Sequence, residues 1–257
     1  MALNDLELAL ALADEADAIT SRYFAQGLKA TIKTDRSLVT QADIEAEARM
    51  ADMLRKHRPR DDIAAEELHH KELGDGRVWA IDPIDHTNNY ARGLPLYGTL
   101  ISLLEDRQPI VGVVSAPALK RRWWAARGVG AFADGERIHV SQVADLEDAH
   151  LSFSQLEAWL KLGMLDGLVD LVSTVRWTFG SGGIFAQMWV AEGRIDISLD
   201  STGYVWDLAA SQIIVEEAGG RFTDVSGISD PGLGTGIATN GTLHLSVLGR
   251  LSDQRGR

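Results

Sequence analysis

Two aspartates three residues apart, Asp82 and Asp85, flank Pro83-Ile84 at the end of an apolar run that begins at Val78. A strand ending there delivers two hard oxygen ligands to one spot, and Pro83 stiffens the turn between them. Thr87 and the amides of a helix opening behind it would face the same spot, where backbone N–H groups suit an anion. Together these groups suit a divalent cation holding a phosphate.

Three more acidic segments extend the pattern. Asp43 stands at a helix start, where first-turn acids also occur as plain solvated charges. Glu66-Glu67 closes a short strand and reads equally well as surface charge. Asp207 lies between Trp206 and Leu208-Ala-Ala in an apolar helix, where an unpaired carboxylate is costly. A multi-carboxylate metal site accounts for all four segments at once.

The elements that must position these residues alternate in period. Residues 3–27 and 42–57 carry apolar positions at helical spacing, with Gly27 closing the first and Pro59 stopping the second. Residues 31–40 are short, polar and β-prone, and 63–67 read as a strand. From 97 to 140 come consecutive antiparallel strands, including 137–140, with Asp134-Gly135 as a hairpin turn. The second half alternates: helix 155–171, strand 174–177, helix 184–192, strand 194–199, helix 205–218, strands near 221–223 and 236–239, and a last helix from about Asn240. The pattern predicts an α/β protein with mixed sheets layered between helices, one domain over 1–257 with halves at about 1–150 and 151–257.

Composition narrows the function classes. The 257 residues carry a net charge of -12 and include no Cys. An acidic chain is a poor partner for nucleic acid or an anionic membrane. Without Cys there is no thiolate site or disulfide, which fits a reducing cytoplasm. The acidic N-terminus lacks a signal peptide's basic region, and no apolar run approaches the ~20 residues of a membrane span.

The motifs resemble those of the inositol monophosphatase-like, magnesium-dependent phosphatases. Asp82-Pro-Ile-Asp-His-Thr-Asn-Asn-Tyr is similar to their Asp-Pro-Ile-Asp-Gly-Thr-x-Asn-Phe. Glu66-Glu67, the segment from Lys33 to Asp43, Trp206-Asp207-Leu-Ala-Ala with Glu217-Ala-Gly-Gly, and Ala238-Thr-Asn-Gly match their other motifs. The resemblance implies an α/β/α/β/α sandwich of the inositol monophosphatase and fructose-1,6-bisphosphatase type, assembled as a homodimer. It implies hydrolysis of a small phosphate monoester with two or three Mg²⁺ ions, Mn²⁺ being a substitute. Glu66, Asp82, the Ile84 carbonyl, Asp85 and Asp207 would hold metal. Thr87 and Asp43 would orient and deprotonate water, with Glu67 beside them in the catalytic group. His86, Thr87, Ser181 and Arg176 would contact phosphate or substrate. The apolar and aromatic strands of 100–140 would supply the dimer interface.

Within the family, residues 92–103 and 111–128 most resemble bacterial histidinol-phosphate phosphatases, which puts histidinol phosphate first among substrates. Two departures bear on that choice. His86 stands where the family usually has Gly, a substitution expected to affect substrate choice and to keep the anion contact of its N–H if φ is negative. Ser181 stands where those phosphatases carry an acid that suits a cationic amine. Asp200, Ser201 or Glu192 would have to replace it, and an inositol, sugar or nucleoside phosphate is the alternative; a 3′-phosphonucleotide would call for a longer chain. A rival of another class is a binding protein that lost turnover through His86. Trp123 and Trp124 read as core or interface aromatics and Arg121 and Arg122 as surface charges. His69, His70, His139, His150 and His244 read as structural or surface residues.

Overall fold

The structure, a computed structural model, describes residues 3–26, 30–33, 38–67 and 73–252. Gly27, residues 34–37 and His69-His70 lie outside the described residues. Helix α1 (Asp5–Gln26) leads into a hairpin of β1 (Ala30–Ile32) and β2 (Leu38–Thr40), then α2 (Gln41–His57). Next come β3 (Asp62–Ala65), β4 (Arg77–Asp85) and a single turn of helix, α3 (Thr87–Ala91). A meander follows of β5 (Gly98–Glu105), β6 (Gln108–Ala116), β7 (Arg121–Ala126), β8 (Gly130–Ala133) and β9 (Glu136–Arg137).

The second half contains β10 (His150–Phe153), α4 (Leu156–Lys161), α5 (Leu165–Thr174), β11 (Trp177–Phe179) and α6 (Ile184–Ala191). It ends with β12 (Ile197–Asp200), α7 (Val205–Glu217), β13 (Arg221–Thr223), β14 (Gly236–Thr239) and α8 (His244–Ser252). Strands β3 to β9 form one sheet in sequence order, parallel only at β3–β4. A second sheet runs β11-β10-β12-β14-β13.

The layers follow from which faces are apolar. Leu8, Leu12, Met50 and Leu54 of α1 and α2 pack on Trp79, Ile81, Ile101 and Val113. The opposite face of that sheet, through Leu100, Val114 and Trp123, meets Ile184, Met188, Ile213 and Ile214 of α6 and α7, which also reach Phe222 and Ala238 of the second sheet. Trp159, Leu168 and Leu171, with Val247 and Leu251 of α8, cover that sheet's far face. The result is helices, sheet, helices, sheet, helices. A central sheet buried on both faces explains why residues 98–104 are buried without alternation. Gly112 permits a close approach of sheet and helix: a Cβ there would lie 2.7 Å from the Ala210 carbonyl oxygen of α7.

Several expectations are corrected by this packing. The predicted helix 155–171 is two helices, because Gly163 (φ +69°) ends α4. Gly163 N–H bonds Leu160 O and Met164 N–H bonds Trp159 O, a Schellman closure. Helix α5 extends to Thr174, so the strand placed at 174–177 starts only at Trp177. The strand at 137–140 stops at Arg137. Strands β4 to β6 are covered on both faces by the chain's own helices, whereas Trp124 and Phe132 on β7 and β8 are only half-buried and Val129 between them is exposed. Trp123 is core and its Nε1 donates to Glu192, while Trp124 stacks on Phe132 at 4.2 Å. Arg121 pairs with Asp134 and Glu192, and Arg122 with Asp14 and Asp17. The Asp134-Gly135 turn is as expected, with φ +51° and +91°.

His244 is a structural residue. Buried in the last layer, its Nε2 lies 2.9 Å from Thr223 Oγ1 and its Nδ1 3.0 Å from Thr239 Oγ1. Thr223 already donates to the Asp224 carbonyl, so it accepts from Nε2–H and Nδ1 is the acceptor. The neutral ring is therefore built in, and burial lowers its pKa to about 4. An unfolded chain takes up this proton near pH 6.5, while the folded chain resists until about 4. Stability thus falls with acid across that window, by up to about 3 kcal/mol from this group. Urea midpoints measured from pH 7 to 4.5 should fall more steeply for wild type than for His244→Gln; parallel profiles would refute it.

Candidate active site

The site begins with a break in strand pairing. Strand β4 pairs Asp82 with Leu100 and Asp85 with Gly98, so three steps on β4 match two on β5. In a regular strand, residues three apart face opposite sides; the extra residue of this bulge brings both aspartates to one side. Pro83 tolerates the break because it has no N–H to leave unpaired, and its carbonyl accepts from Thr99 Oγ1 at 2.8 Å. Ile84 N–H then donates to Asp82 Oδ1 at 2.9 Å and fixes that carboxylate within its own turn.

Asp207 arrives from the first turn of α7 rather than its middle. Tyr204 N–H donates to Asp207 Oδ2 at 2.8 Å, which pins the carboxylate at the helix start. Val205, Trp206 and Ala209 pack on Ala64, Val78, Ala80 and Leu104, so α7 opens over the carboxyl ends of β3 and β4. One oxygen from each of Asp82, Asp85 and Asp207 lies within 4.8 Å of the others. Burial, and then repulsion from Glu66, Asp85 and Asp207, pushes the Asp82 carboxyl well above its usual range. Burial and then Asp85 do the same to Asp207. Asp85 rises through burial, offset partly by His86, and its Oδ2 is buried without a hydrogen-bond partner. Crowded carboxylates with a spare buried oxygen fit a hard divalent cation.

The other predicted residues divide into two groups. Glu66 lines the same cleft, whereas Glu67 and Asp43 lie behind it. Lys33 Nζ reaches Glu66 at 3.1 Å and Glu67 at 2.6 Å. Burial opposes the Lys33 charge, but the two glutamates still raise its pKa. Asp43 closes a capping box with Thr40, taking its N–H at 2.7 Å and its hydroxyl at 2.5 Å on Oδ2. Oδ1 is left buried and unpartnered, and burial above all pushes the Asp43 pKa up to about 7. Thr87 Oγ1 donates to the Ile84 carbonyl at 3.0 Å, so no hydrogen bond joins Thr87 to Asp43.

A cleft of about 600 Å³ opens in front of the three aspartates, walled on the far side by Gly180, Ser181, Gly182 and Gly183. Arg176 does not reach it: its side chain is 64% exposed and pairs with Asp148. Of the three replacements weighed for the missing acid, only Asp200 lines the cleft. It accepts from Gly183 N–H at 2.7 Å and from Gln187 Nε2 at 2.8 Å. Glu192 is instead held by Arg121, Trp123 and Arg194, and Ser201 donates to the Gln155 carbonyl. The signals for Asp200 and Gln187 were an acid ending the apolar run Ile197-Ser-Leu and a polar residue inside the apolar helix α6. Among the described residues, no Lys or Arg lines the cleft.

His86 has φ +65° and ψ +44°, not the negative φ on which the expected anion contact of its N–H depends. This left-handed conformation explains why glycine suits the position. The backbone N–H of His86 serves the Asp85 carboxyl, and α3 is too short for a useful dipole.

Comparison with known proteins places these features. The inositol monophosphatase family matches residues 3–254. A histidinol-phosphatase of Mycobacterium tuberculosis is 48% identical over 98% of this chain and 99% of its own. A histidinol-phosphatase of Streptomyces coelicolor is 45% identical over 98% of each chain. Among solved structures, an IMPase of Thermotoga maritima aligns with a TM-score of 0.85 at 32% identity, covering 98% of both chains.

The carboxylate cluster predicts a paired effect. Asp207→Asn keeps an oxygen for the Tyr204 N–H but removes one repelling charge. In EDTA its Tm should rise by about 2–5 °C, on the scale of 2–4 °C per kcal/mol for a chain of this size. The same variant should lose most of the stabilisation that Mg²⁺ gives wild type in a thermal-shift titration. A lower Tm in EDTA together with an unchanged response to Mg²⁺ would contradict the arrangement.

Proposed function

Since the chain belongs to the inositol monophosphatase family and is a phosphoric monoester hydrolase, we propose that its substrate is histidinol phosphate, cleaved with Mg²⁺ held by Glu66, Asp82, the Ile84 carbonyl, Asp85 and Asp207. The observation carrying the metal assignment is the convergence of the oxygens of buried Asp82 and half-buried Asp85 and Asp207 within 4.8 Å. Such ions, when bound, supply an activated water and offset charge on the transferring phosphoryl group. The chain's own groups position and exchange protons. Asp43, with a pKa near neutrality and a spare oxygen, is suited to hold a proton at pH 7. Thr87 fixes the Ile84 carbonyl, and Glu67, tied to Lys33 and through its N–H to Glu47, braces Glu66.

The substrate assignment rests on the near full-length similarity to histidinol-phosphatases and on the acidity of the cleft. Asp200 supplies a carboxylate for the amino group that Ser181 cannot. The small residues Gly182 and Gly183 after Ser181 favour a second reading, an inositol phosphate. For the homodimer, exposed Trp177 on the edge strand β11, with exposed Leu156 and Leu160, offers apolar surface that the covered strands β5 and β6 do not. We place the protein in the cytoplasm; none of its described helices is long and apolar enough to cross a membrane.

Phosphate release from histidinol phosphate, inositol phosphates, sugar phosphates and nucleotides, with Mg²⁺ or Mn²⁺, tests this reading. Histidinol phosphate should show the highest kcat/KM, and Asp85→Asn should lower kcat by about a thousandfold or more, the scale of losing a transition-state electrostatic contact. No release from any ester would sink the catalytic reading. Recovery of turnover in His86→Gly alone would instead favour the degenerate-site rival.

A further inference from the structure

His86 holds a costly backbone conformation. For an L-residue the left-handed region costs roughly 1–2 kcal/mol, which glycine avoids. The side chain that requires this strain is not loose. Asn89 Nδ2 donates to the Leu96 carbonyl at 2.9 Å and its other hydrogen reaches His86 Nδ1 at 3.3 Å. Nδ1 is therefore the acceptor, and the proton sits on Nε2. Nε2 in turn stands 3.4 Å from Asp85 Oδ2. The ring meets Phe185 of α6 edge-on, with centroids 6.3 Å apart.

The far wall is shaped to receive this ring. Gly183 has φ +79° and ψ -161°, a conformation only glycine adopts readily. A Cβ on Gly183 would lie 2.2 Å from His86 Nε2, so the imidazole fills the space that a side chain there would need. Gly182 is equally constrained, since its Cβ would lie 2.3 Å from Ser154 Cβ and 2.7 Å from Asp200 Oδ1. The imidazole thus spans the cleft from the metal-binding carboxylates to the glycine wall, beside the place where the ester must sit.

We propose that His86 is a specificity-determining residue, a wedge that selects primary over secondary phosphate esters; this rests on the cleft being the phosphate-ester site. A primary ester presents a CH₂ at the carbon bonded to the ester oxygen. A secondary ester, such as a cyclitol phosphate, carries two carbon substituents there, and one of them must occupy the volume of the ring. Histidinol phosphate is primary and inositol 1-phosphate secondary, so the wedge separates the two readings of the substrate.

Glycerol 1-phosphate and glycerol 2-phosphate contain the same atoms and differ only in branching at the ester carbon. We would compare kcat/KM for both in wild type, His86→Gly and His86→Ala, and measure their binding by calorimetry in Ca²⁺ so that the outcome does not depend on turnover. Wild type should prefer the 1-phosphate by about tenfold or more, the range over which one methylene-sized difference discriminates, and both variants should bring the ratio to within about threefold of unity. No preference in wild type, or the same ratio in all three proteins, overturns the proposal. A ratio that moves only in His86→Gly also overturns it, because Ala keeps the backbone strain and lacks the ring. If His86→Ala does not fold, His86→Asn replaces it, since Asn tolerates this conformation. Histidinol phosphate is assayed in parallel: if it is not cleaved while the glycerol phosphate ratio shifts as expected, the substrate assignment fails and the wedge stands.

Discussion

The site depends on holding carboxylates closer together than they would choose to be. Two unit charges about 5 Å apart in a partly buried setting repel by roughly 3 kcal/mol at an effective dielectric near 20. Asp82, Asp85 and Asp207 form three such pairs, against a folding stability that is typically ~5–15 kcal/mol. These acids are therefore steadied by donors from their own neighbourhood. Ile84 N–H holds Asp82, Tyr204 N–H holds Asp207, Thr40 holds Asp43, and Lys33 spans Glu66 and Glu67. Asp85 keeps an oxygen to spare, and that is where the cluster most needs a cation.

Local donors only orient the acids; the layers bring them together. Strands β3 and β4 run parallel, so Glu66 and the two aspartates leave the sheet at the same edge. Helix α7 lies so close to the sheet that Gly112 has no room for a side chain, and its apolar first turn packs over β3, β4 and β5. A helix seated this firmly can keep Asp207 buried among other acids, where a loop would swing away.

The sequence made the acids and their order legible because each ends or opens a periodic segment. The apolar run into Asp82, the Thr40 cap before Asp43 and the apolar stretch after Asp207 are all local signals. The layered architecture was legible for the same reason, from the change between period-2 and helical spacing. What stayed hidden is set by dihedrals and by contacts between distant segments. The spacing of Asp82 and Asp85 does not reveal the bulge that turns them to one side. A histidine in a motif does not reveal φ +65°. Arg176 looked like a substrate contact by position, yet it pairs with Asp148, 28 residues earlier. Nothing local says that helices cover both faces of β5 and β6, so their burial is not read from residues 100–116 alone.

The same charge distribution restricts how any phosphate ester can be held. The chain carries a net charge of -12. Its cleft presents Glu66, Asp82, Asp85, Asp200 and Asp207 and, among the described residues, no Lys or Arg in its lining. Lys33 is near, but its charge is already engaged by Glu66 and Glu67. A dianionic phosphate entering such a field is repelled unless cations come first, because neither one helical turn at α3 nor the Thr87 hydroxyl can offset five carboxylates. Cations that offset these acids would therefore have to be in place before the ester finds a favourable position. An amino group on the leaving alcohol gains from whatever negative charge remains at Asp200, while a neutral cyclitol gains nothing from it. The acidity that repels a bare phosphate would thus also favour an ester that carries its own positive charge.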